Sequence, residues 1–170
     1  PRLVNDFTPV EPPKKTADGK EYHLTTDLAD NAISWLNKHK AFAVDKPFLL
    51  YFAPGAGHAP HHIMKEWADK YKGKFDDGWD AYREKTFKRQ KELGVIPANT
   101  KLTPRDKTQP SWESIPQSER AFQTRMMEVY AGFVEHADHE IGRVLKTIED
   151  NGQKDNTLVY ETISGRKTYQ

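Results

Sequence analysis

The chain has 170 residues, a net charge of +1 at pH 7 and no cysteine. Because there is no surplus of positive charge to neutralise phosphates, we expect no nucleic-acid partner. No apolar run approaches the roughly 18 residues that a membrane span requires. The lack of cysteine excludes disulfides and thiolate metal sites but does not determine the compartment. Hydrophobic residues make up 36% of the chain, a thin core for one domain, as expected of a segment of a larger sheet.

The amino-terminal part of the chain predicts a connector followed by a helix. Its prolines and turn residues indicate that residues 1 to 20 are extended. Thr25 or Thr26 is placed to cap a helix that runs to about Lys40. Apolar residues at helical spacing mark its buried face: Leu28, Ala32, Trp35 and Leu36.

The next feature is a short apolar run from Phe48 to Ala53, bounded by Pro47 and Pro54. This pattern is typical of a strand that is buried on both faces, with helices packed on each side. His58 follows the strand, and ligands of open α/β sheets bind at the carboxyl ends of strands. From spacing alone, however, such a loop histidine is more often a turn-stabilising or surface residue than a catalytic one.

The rest of the chain predicts three helices and a second strand. The helices are expected at about Lys65–Tyr71, Trp79–Leu93 and Ser118–Asp150. Residues 95 to 118 contain four prolines and predict a surface excursion. A strand is expected at Leu158–Ile163, and the order strand, helices, strand favours parallel pairing. Two strands are too few for a sheet buried on both faces, so the sequence predicts part of an α/β sandwich with few parallel strands and several long helices.

Histidines make two groups that could bind a metal. His58, His61 and His62 place three imidazoles within five residues, a set that could hold zinc or copper. Pro60 bends this segment and no nearby carboxylate completes the set. The sequence therefore favours solvated loop histidines over a metal site.

The second group lies on the long predicted helix. His136, His139 and Glu140 are separated by three and four residues, so they could chelate a metal from one face. The spacing differs from the zinc motif in which two histidines stand four apart around a glutamate. We expect structural roles here, with Asp138 and Arg143 in ion pairs or caps, and no metal site in this chain.

Several long segments, in register, resemble the interior of bacterial arylsulfatases, and the resemblance fades only after about Val159. It implies that residues 1 to 170 form a single, incomplete sulfatase-like domain, part of an alkaline-phosphatase-like α/β sandwich. The matching segments are Tyr22–Ile33, Phe48-Leu-Leu-Tyr-Phe-Ala-Pro-Gly-Ala-Gly-His-Ala-Pro60, Lys65–Asp76, Gly78–Glu84 and Met126–Arg143.

The resemblance implies an active-site role for His58. In this family, the histidine of the Ala-Pro-Gly-Ala-x-His-Ala-Pro stretch lies against the sulfate and the leaving-group oxygen. A complete enzyme would use a formylglycine, made from a cysteine in a Cys-x-Pro-Ser-Arg motif, as its nucleophile, and a calcium ion to neutralise the sulfate. Its substrate would be a sulfate ester of a small molecule or a glycan.

The chain departs from the family pattern at the nucleophile and at the metal site. It has no cysteine, and Ile163-Ser-Gly-Arg-Lys-Thr-Tyr stands where the family has an Asp-Asn-Gly. Arg166 and Lys167 carry only donors and positive charge, so they cannot bind calcium. Asp155-Asn156 precedes the predicted strand and would lie at the wrong edge of the sheet. We therefore expect these residues alone to be inactive, with His58 as their contribution to the site.

Two other functions are compatible with the sequence. A related phosphodiester or phosphonate ester hydrolase would share the same core. Alternatively, the chain could be a non-catalytic helical module that binds a partner through its long helix or its strand edges.

Overall fold

The computed structural model of the protein describes residues 3–16 and 19–161. Within these residues the chain is mostly helical with one two-stranded sheet, consistent with part of an α/β fold. None of its helices combines the length and the apolar character needed to cross a bilayer. The elements are β1 (Leu3–Asn5), β2 (Thr8–Val10), α1 (Leu24–Phe42), α2 (Lys65–Asp69), α3 (Gly78–Glu92), α4 (Gln117–Asp150) and 3-10 turns at Trp112–Ser114 and Lys154–Asn156.

The chain divides into two compact units. Unit 1 comprises Pro1–Met64 and Phe133–Gln170, and unit 2 comprises Lys65–Gly132. Helix α4 contributes residues to both.

The segment predicted as an extended connector contains a hairpin in unit 1. Strands β1 and β2 pair antiparallel, with Leu3 opposite Val10. Asp6 lies in the turn with a φ of 53°, a left-handed conformation that aspartate tolerates better than most residues. Pro9 is compatible with this arrangement because proline occurs in edge strands.

Helix α1 begins earlier than the sequence predicts, because His23 is its N-cap. The backbone at His23 is extended (φ −134°, ψ 124°), and the ring Nδ1 accepts the N–H of Thr25. Both candidate cap threonines therefore lie inside the first turn. Asp27 stands in that turn, where its charge suits the positive helix end.

The core of unit 1 lies between α1 and the carboxyl-terminal half of α4. Small and branched side chains from the two helices form one buried cluster: Ala29, Ala32, Leu36, Val144 and Ile148. Phe48, Leu50 and Phe52 pack against this cluster from the segment that follows α1. Burial of such apolar surface is the main source of stability for the unit.

The parallel strand pair predicted from the sequence is not formed in the described part of the chain, where the two-stranded sheet is antiparallel. Residues 47 to 55 have no strand hydrogen bonds, and only alternate side chains are covered, since Leu49 is 92% and Tyr51 89% exposed. A strand exists only with a hydrogen-bonded neighbour, and no segment supplies one here. Residues 157 to 161 likewise form no strand, and residues 162 and 163 lie outside the described residues.

Unit 2 contains α2, α3 and the first half of α4. Helix α2 passes so close to α4 that a Cβ at Gly132 would lie 2.7 Å from the carbonyl carbon of Trp67. Trp112 is buried, with its ring against Gly78 and at 4.9 Å from the ring of Trp79. The helices of this unit match the sequence prediction within about two residues at each end.

Candidate functional site

His58 is exposed and lies just beyond residues 47 to 55, which form neither a helix nor a strand. Its ring Nδ1 is 2.6 Å from the carbonyl oxygen of Ala59, and its amide N–H donates to the oxygen of Gly55 at 3.1 Å. A carbonyl can only accept, so Nδ1 carries a hydrogen and donates it. The other ring nitrogen, Nε2, is therefore the atom of His58 that remains for a substrate.

The other two histidines of this loop face different neighbours. The ring of His61 lies 5.6 Å from the ring of Phe133 on α4. The side chain of His62 is exposed, while its carbonyl oxygen is 2.9 Å from Nε2 of His23. The three imidazoles are thus not gathered around one point.

A buried polar cluster joins α1 to α4 in unit 1. His136 is 1% and Glu140 4% exposed. The Thr26 hydroxyl donates to Glu140 Oε1 at 2.9 Å, and its oxygen lies 3.1 Å from His136 Nε2. Because that hydroxyl hydrogen is directed to Glu140, Thr26 accepts from His136, whose hydrogen is on Nε2. Arg143 donates to Glu140 Oε2 and to Asp30 Oδ1, each at 2.5 Å, as the ion pairs expected of it.

The surroundings of His136 keep its ring neutral near pH 7. Burial, and then the proximity of His23, lower its pKa from 6.5 to about 4. The rings of His23 and His136 meet edge to face, with centroids 4.3 Å apart. A neutral ring with its hydrogen on Nε2 can make this donation to Thr26.

No metal site is evident in the described residues. His139 and Asp138 are exposed, whereas His136 and Glu140 are buried. Within residues 3–16 and 19–161, no three His, Cys, Asp or Glu side chains form a ligand group. Calcium needs several oxygen ligands. These residues therefore do not fit a calcium ion, and we assign no step of a reaction to one.

The carboxyl-terminal positions that the sequence singled out are only partly described. Asp155 and Asn156 lie in the second 3-10 turn, Lys154–Asn156. The segment from Ile163 to Tyr169, with Arg166 and Lys167, lies outside the described residues.

Sequence reasoning missed the role of His23. It stands in one of the matching segments, directly before a predicted helix, but the two threonines that follow it were better cap candidates by residue type. Its bond to His62 joins positions 39 residues apart. A histidine just before a helix start was the only available signal, and it predicts no such partner.

Comparison with known proteins identifies the family. The family model described as Sulfatase matches residues 3–162. The chain is 35% identical over 142 residues to an uncharacterised sulfatase of Schizosaccharomyces pombe, which covers 82% of this chain and 25% of that protein. It is 29% identical over 163 residues to an arylsulfatase of Klebsiella aerogenes, which covers 91% of this chain and 34% of that protein.

The chain spans about a quarter to a third of the length of these curated relatives. The family model nevertheless covers nearly all of the chain, which confirms the resemblance seen in its motifs. The chain belongs to the sulfatase family.

Proposed function

We propose that this chain is the segment of a sulfatase that presents His58 to a sulfate ester. The family match over residues 3–162 supports the reaction class. The single observation that favours His58 is its geometry: Ala59 holds Nδ1–H, and the exposed ring leaves Nε2 for a ligand. An imidazole held in this way is suited to binding an anion and to donating a proton.

The chemistry assigned to His58 is protonation of the leaving group. As a nucleophile from another part of the protein bonds to sulfur, the bond between sulfur and the ester oxygen breaks. Its electron pair goes to that oxygen, which takes the proton from Nε2 of an imidazolium ring. The ring becomes neutral and keeps its hydrogen on Nδ1, where Ala59 accepts it before and after the transfer. The ring therefore needs no reorientation during the step.

The nucleophile and the metal ligands belong, in this proposal, to other parts of a longer protein. Complete enzymes of the family use a formylglycine made from cysteine, and this chain has no cysteine. The matched relatives are three to four times longer than the matched region, which supports the same assignment.

The same proposal extends to the fold. Residues 48 to 53 and 158 to 163 would be strands of the complete sheet, within one incomplete domain that carries residues 95 to 118 as a surface excursion. The alternation along the first segment supports this: Phe48, Leu50 and Phe52 face the helices, while Leu49 and Tyr51 face solvent. This is the two-residue period of a strand on a helical layer.

The first test uses the chain by itself. Incubated with an aryl sulfate and calcium, it is expected to give no hydrolysis above the buffer rate, because it has neither the cysteine nor the Cys-x-Pro-Ser-Arg motif from which the nucleophile would be made. Release of the phenol, followed by absorbance, is the measurement. Turnover that survives repurification of the chain would contradict the assignment of the nucleophile to another segment.

The second test uses the full-length protein that carries this chain. His58→Ala is expected to lower kcat for an aryl sulfate by about 10²-fold, as loss of a proton-transfer group commonly does. His62→Ala is the matched control, since it removes an exposed imidazole from the same loop and keeps the backbone. Equal rates for the two variants would remove His58 from the site.

A further inference from the structure

Both ring nitrogens of His23 are engaged. The N–H of Thr25 donates to Nδ1 at 3.3 Å, and Nε2 lies 2.9 Å from the carbonyl oxygen of His62. Because Nδ1 accepts, it carries no hydrogen, and the single ring hydrogen must be on Nε2, from which it is donated to His62. One side chain therefore caps α1 and links the helix start to the loop that carries His58.

The ring of His23 packs against the buried polar cluster that joins α1 to α4. The ring of His136 meets it at 4.3 Å with an interplanar angle of 69°. His136 is in turn fixed by Thr26, which donates to Glu140. The position of His23 is thus set by groups on both α1 and α4.

The loop from His58 to His62 is held at its far end. His62 is tied to His23 through its carbonyl, and the ring of His61 rests at 5.6 Å from Phe133. On the near side of the loop, the amide of His58 donates to Gly55. Loss of the bond to His23 would therefore weaken the hold on the side of the loop that follows His58.

We propose that His23 is a positioning residue for His58, acting through its Nε2–H bond to the carbonyl of His62. This inference rests on the proposed role of His58. His23 touches no reacting atom; it restricts the loop so that Nε2 of His58 stays where a sulfate ester would meet it. A small displacement of such a group lowers the rate.

Two substitutions separate the two roles of His23. His23→Asn places an amide oxygen near the position of Nδ1, so it keeps a strong N-cap but is too short to reach His62. His23→Gln places an amide nitrogen near the position of Nε2, so it keeps the donor to His62 and weakens the cap. His23→Asn should therefore keep the stability of the protein and loosen the loop. His23→Gln should lower the stability and keep the loop ordered.

In the full-length protein, His23→Asn is expected to lower kcat about tenfold while its melting temperature stays at or above that of the wild type. His23→Gln is expected to retain most of kcat despite a lower melting temperature. A structural role alone would make activity follow stability, with His23→Asn the more active variant. That order, or an equal loss in both variants, would overturn the proposal.

Two measurements on the full-length protein do not depend on the chemistry of His58. Long-range ¹H–¹⁵N spectra of the wild type should show the hydrogen of His23 on Nε2, and a hydrogen on Nδ1 would overturn the proposal even if both variants failed to fold. Backbone ¹⁵N order parameters at Ala59, His61 and His62 should fall toward values below about 0.6 in His23→Asn and stay high in His23→Gln.

These experiments also distinguish failure of the proposed role of His58 from failure of the proposed role of His23. If His58→Ala leaves the rate unchanged while the order parameters respond as expected, the proposed function fails and His23 still holds the loop. If His58→Ala lowers the rate but His23→Asn leaves the loop ordered and kcat intact, the role of His23 is overturned and the proposed function stands.

Discussion

His136 and Glu140 are buried polar side chains, and hydrogen bonds offset the cost of burying the carboxylate of Glu140. Both side chains are almost completely removed from water. An unpaired buried polar group would cost on the order of 1–3 kcal/mol. Thr26 and Arg143 offset that cost by bonding to the two oxygens of Glu140. The cluster therefore ties α1 to α4 without requiring a charged imidazole.

The lowered pKa of His136 predicts that acid destabilises unit 1. Burial, and then His23, hold the folded pKa at about 4, against 6.5 when the ring is in water. Between these values the unfolded chain binds a proton that the folded chain does not, so stability falls as the pH drops from 6.5 to 4 and this contribution ends below 4. The total loss would be on the order of 3 kcal/mol.

His136→Gln is the matched comparison, because glutamine cannot titrate and its amide nitrogen can still donate to Thr26. Urea unfolding at pH 7, 5.5 and 4 should show a smaller fall in stability for this variant than for the wild type. Carboxylates titrate in both proteins and cancel in the difference. Parallel pH curves for the two proteins would show that His136 is not buried as a neutral ring. Three other groups contribute to the pKa of His136: Glu140 raises it, and His139 and Arg143 lower it.

For single residues, the sequence predicted the position of an exposed loop residue better than it predicted hydrogen-bonded pairs. The position of His58 beyond an apolar run could be read from neighbouring residues. The bonds of His23 to His62 and of Thr26 to Glu140 could not, since they join residues 39 and 114 positions apart. Local patterns carry no information on such pairs.

Helix α4 contains two glycines with different surroundings. Gly132 lies where α2 passes, and Gly142 lies next to open space. A Cβ at Gly132 would lie 2.7 Å from the backbone carbon and oxygen of Trp67 and 2.8 Å from the nitrogen of Ala68. These are backbone atoms of α2, which cannot turn aside as a flexible side chain could. Gly142, on the same helix, has no atom within 4 Å of the corresponding point in the described structure.

Gly132→Ala is therefore expected to destabilise the protein by about 1–3 kcal/mol through overpacking, despite the better helix propensity of alanine. Gly142→Ala is expected to raise stability by about 0.5–1 kcal/mol, since it gains the propensity without a clash. Thermal or urea unfolding of both variants checks the contrast. A stabilised Gly132→Ala would mean that α2 does not approach α4 as closely as described.

The helices were predictable because their signal lies within each element. In α4 the apolar residues recur at three and four positions over 34 residues, so both ends could be placed within about one residue. The strands were not, because a strand also needs a neighbour. Residues 48 to 53 have the composition of a buried strand, yet without a partner they form no strand and only alternate side chains are covered.

At the scale of the whole molecule, the described residues of unit 1 include several large apolar side chains that face solvent. Leu49 and Tyr51 on one segment, and Leu158 (94%) and Tyr160 (86%) on another, face solvent. On the first segment the alternate residues Phe48 and Phe52 pack on the core. On the second, Val159 lines an open cavity with Leu145 and Ile148 but is itself 53% exposed. The first segment thus has one covered and one open side, whereas the described residues of the second, Leu158 to Glu161, are all exposed.

Open apolar segments of this kind tend to pair with other chains. We therefore expect the isolated chain to associate, so that its sedimentation coefficient rises with concentration. The double substitution Leu49→Lys and Tyr51→Lys should suppress this rise, because charge on the open side opposes pairing while Phe48 and Phe52 still cover the core. Phe122→Lys, which adds charge at an exposed aromatic of α4, is the control and should leave association unchanged. A wild-type chain that remains monomeric and melts cooperatively would instead favour a self-standing helical module, since a segment lacking its sheet neighbours should not be stable and monomeric at once.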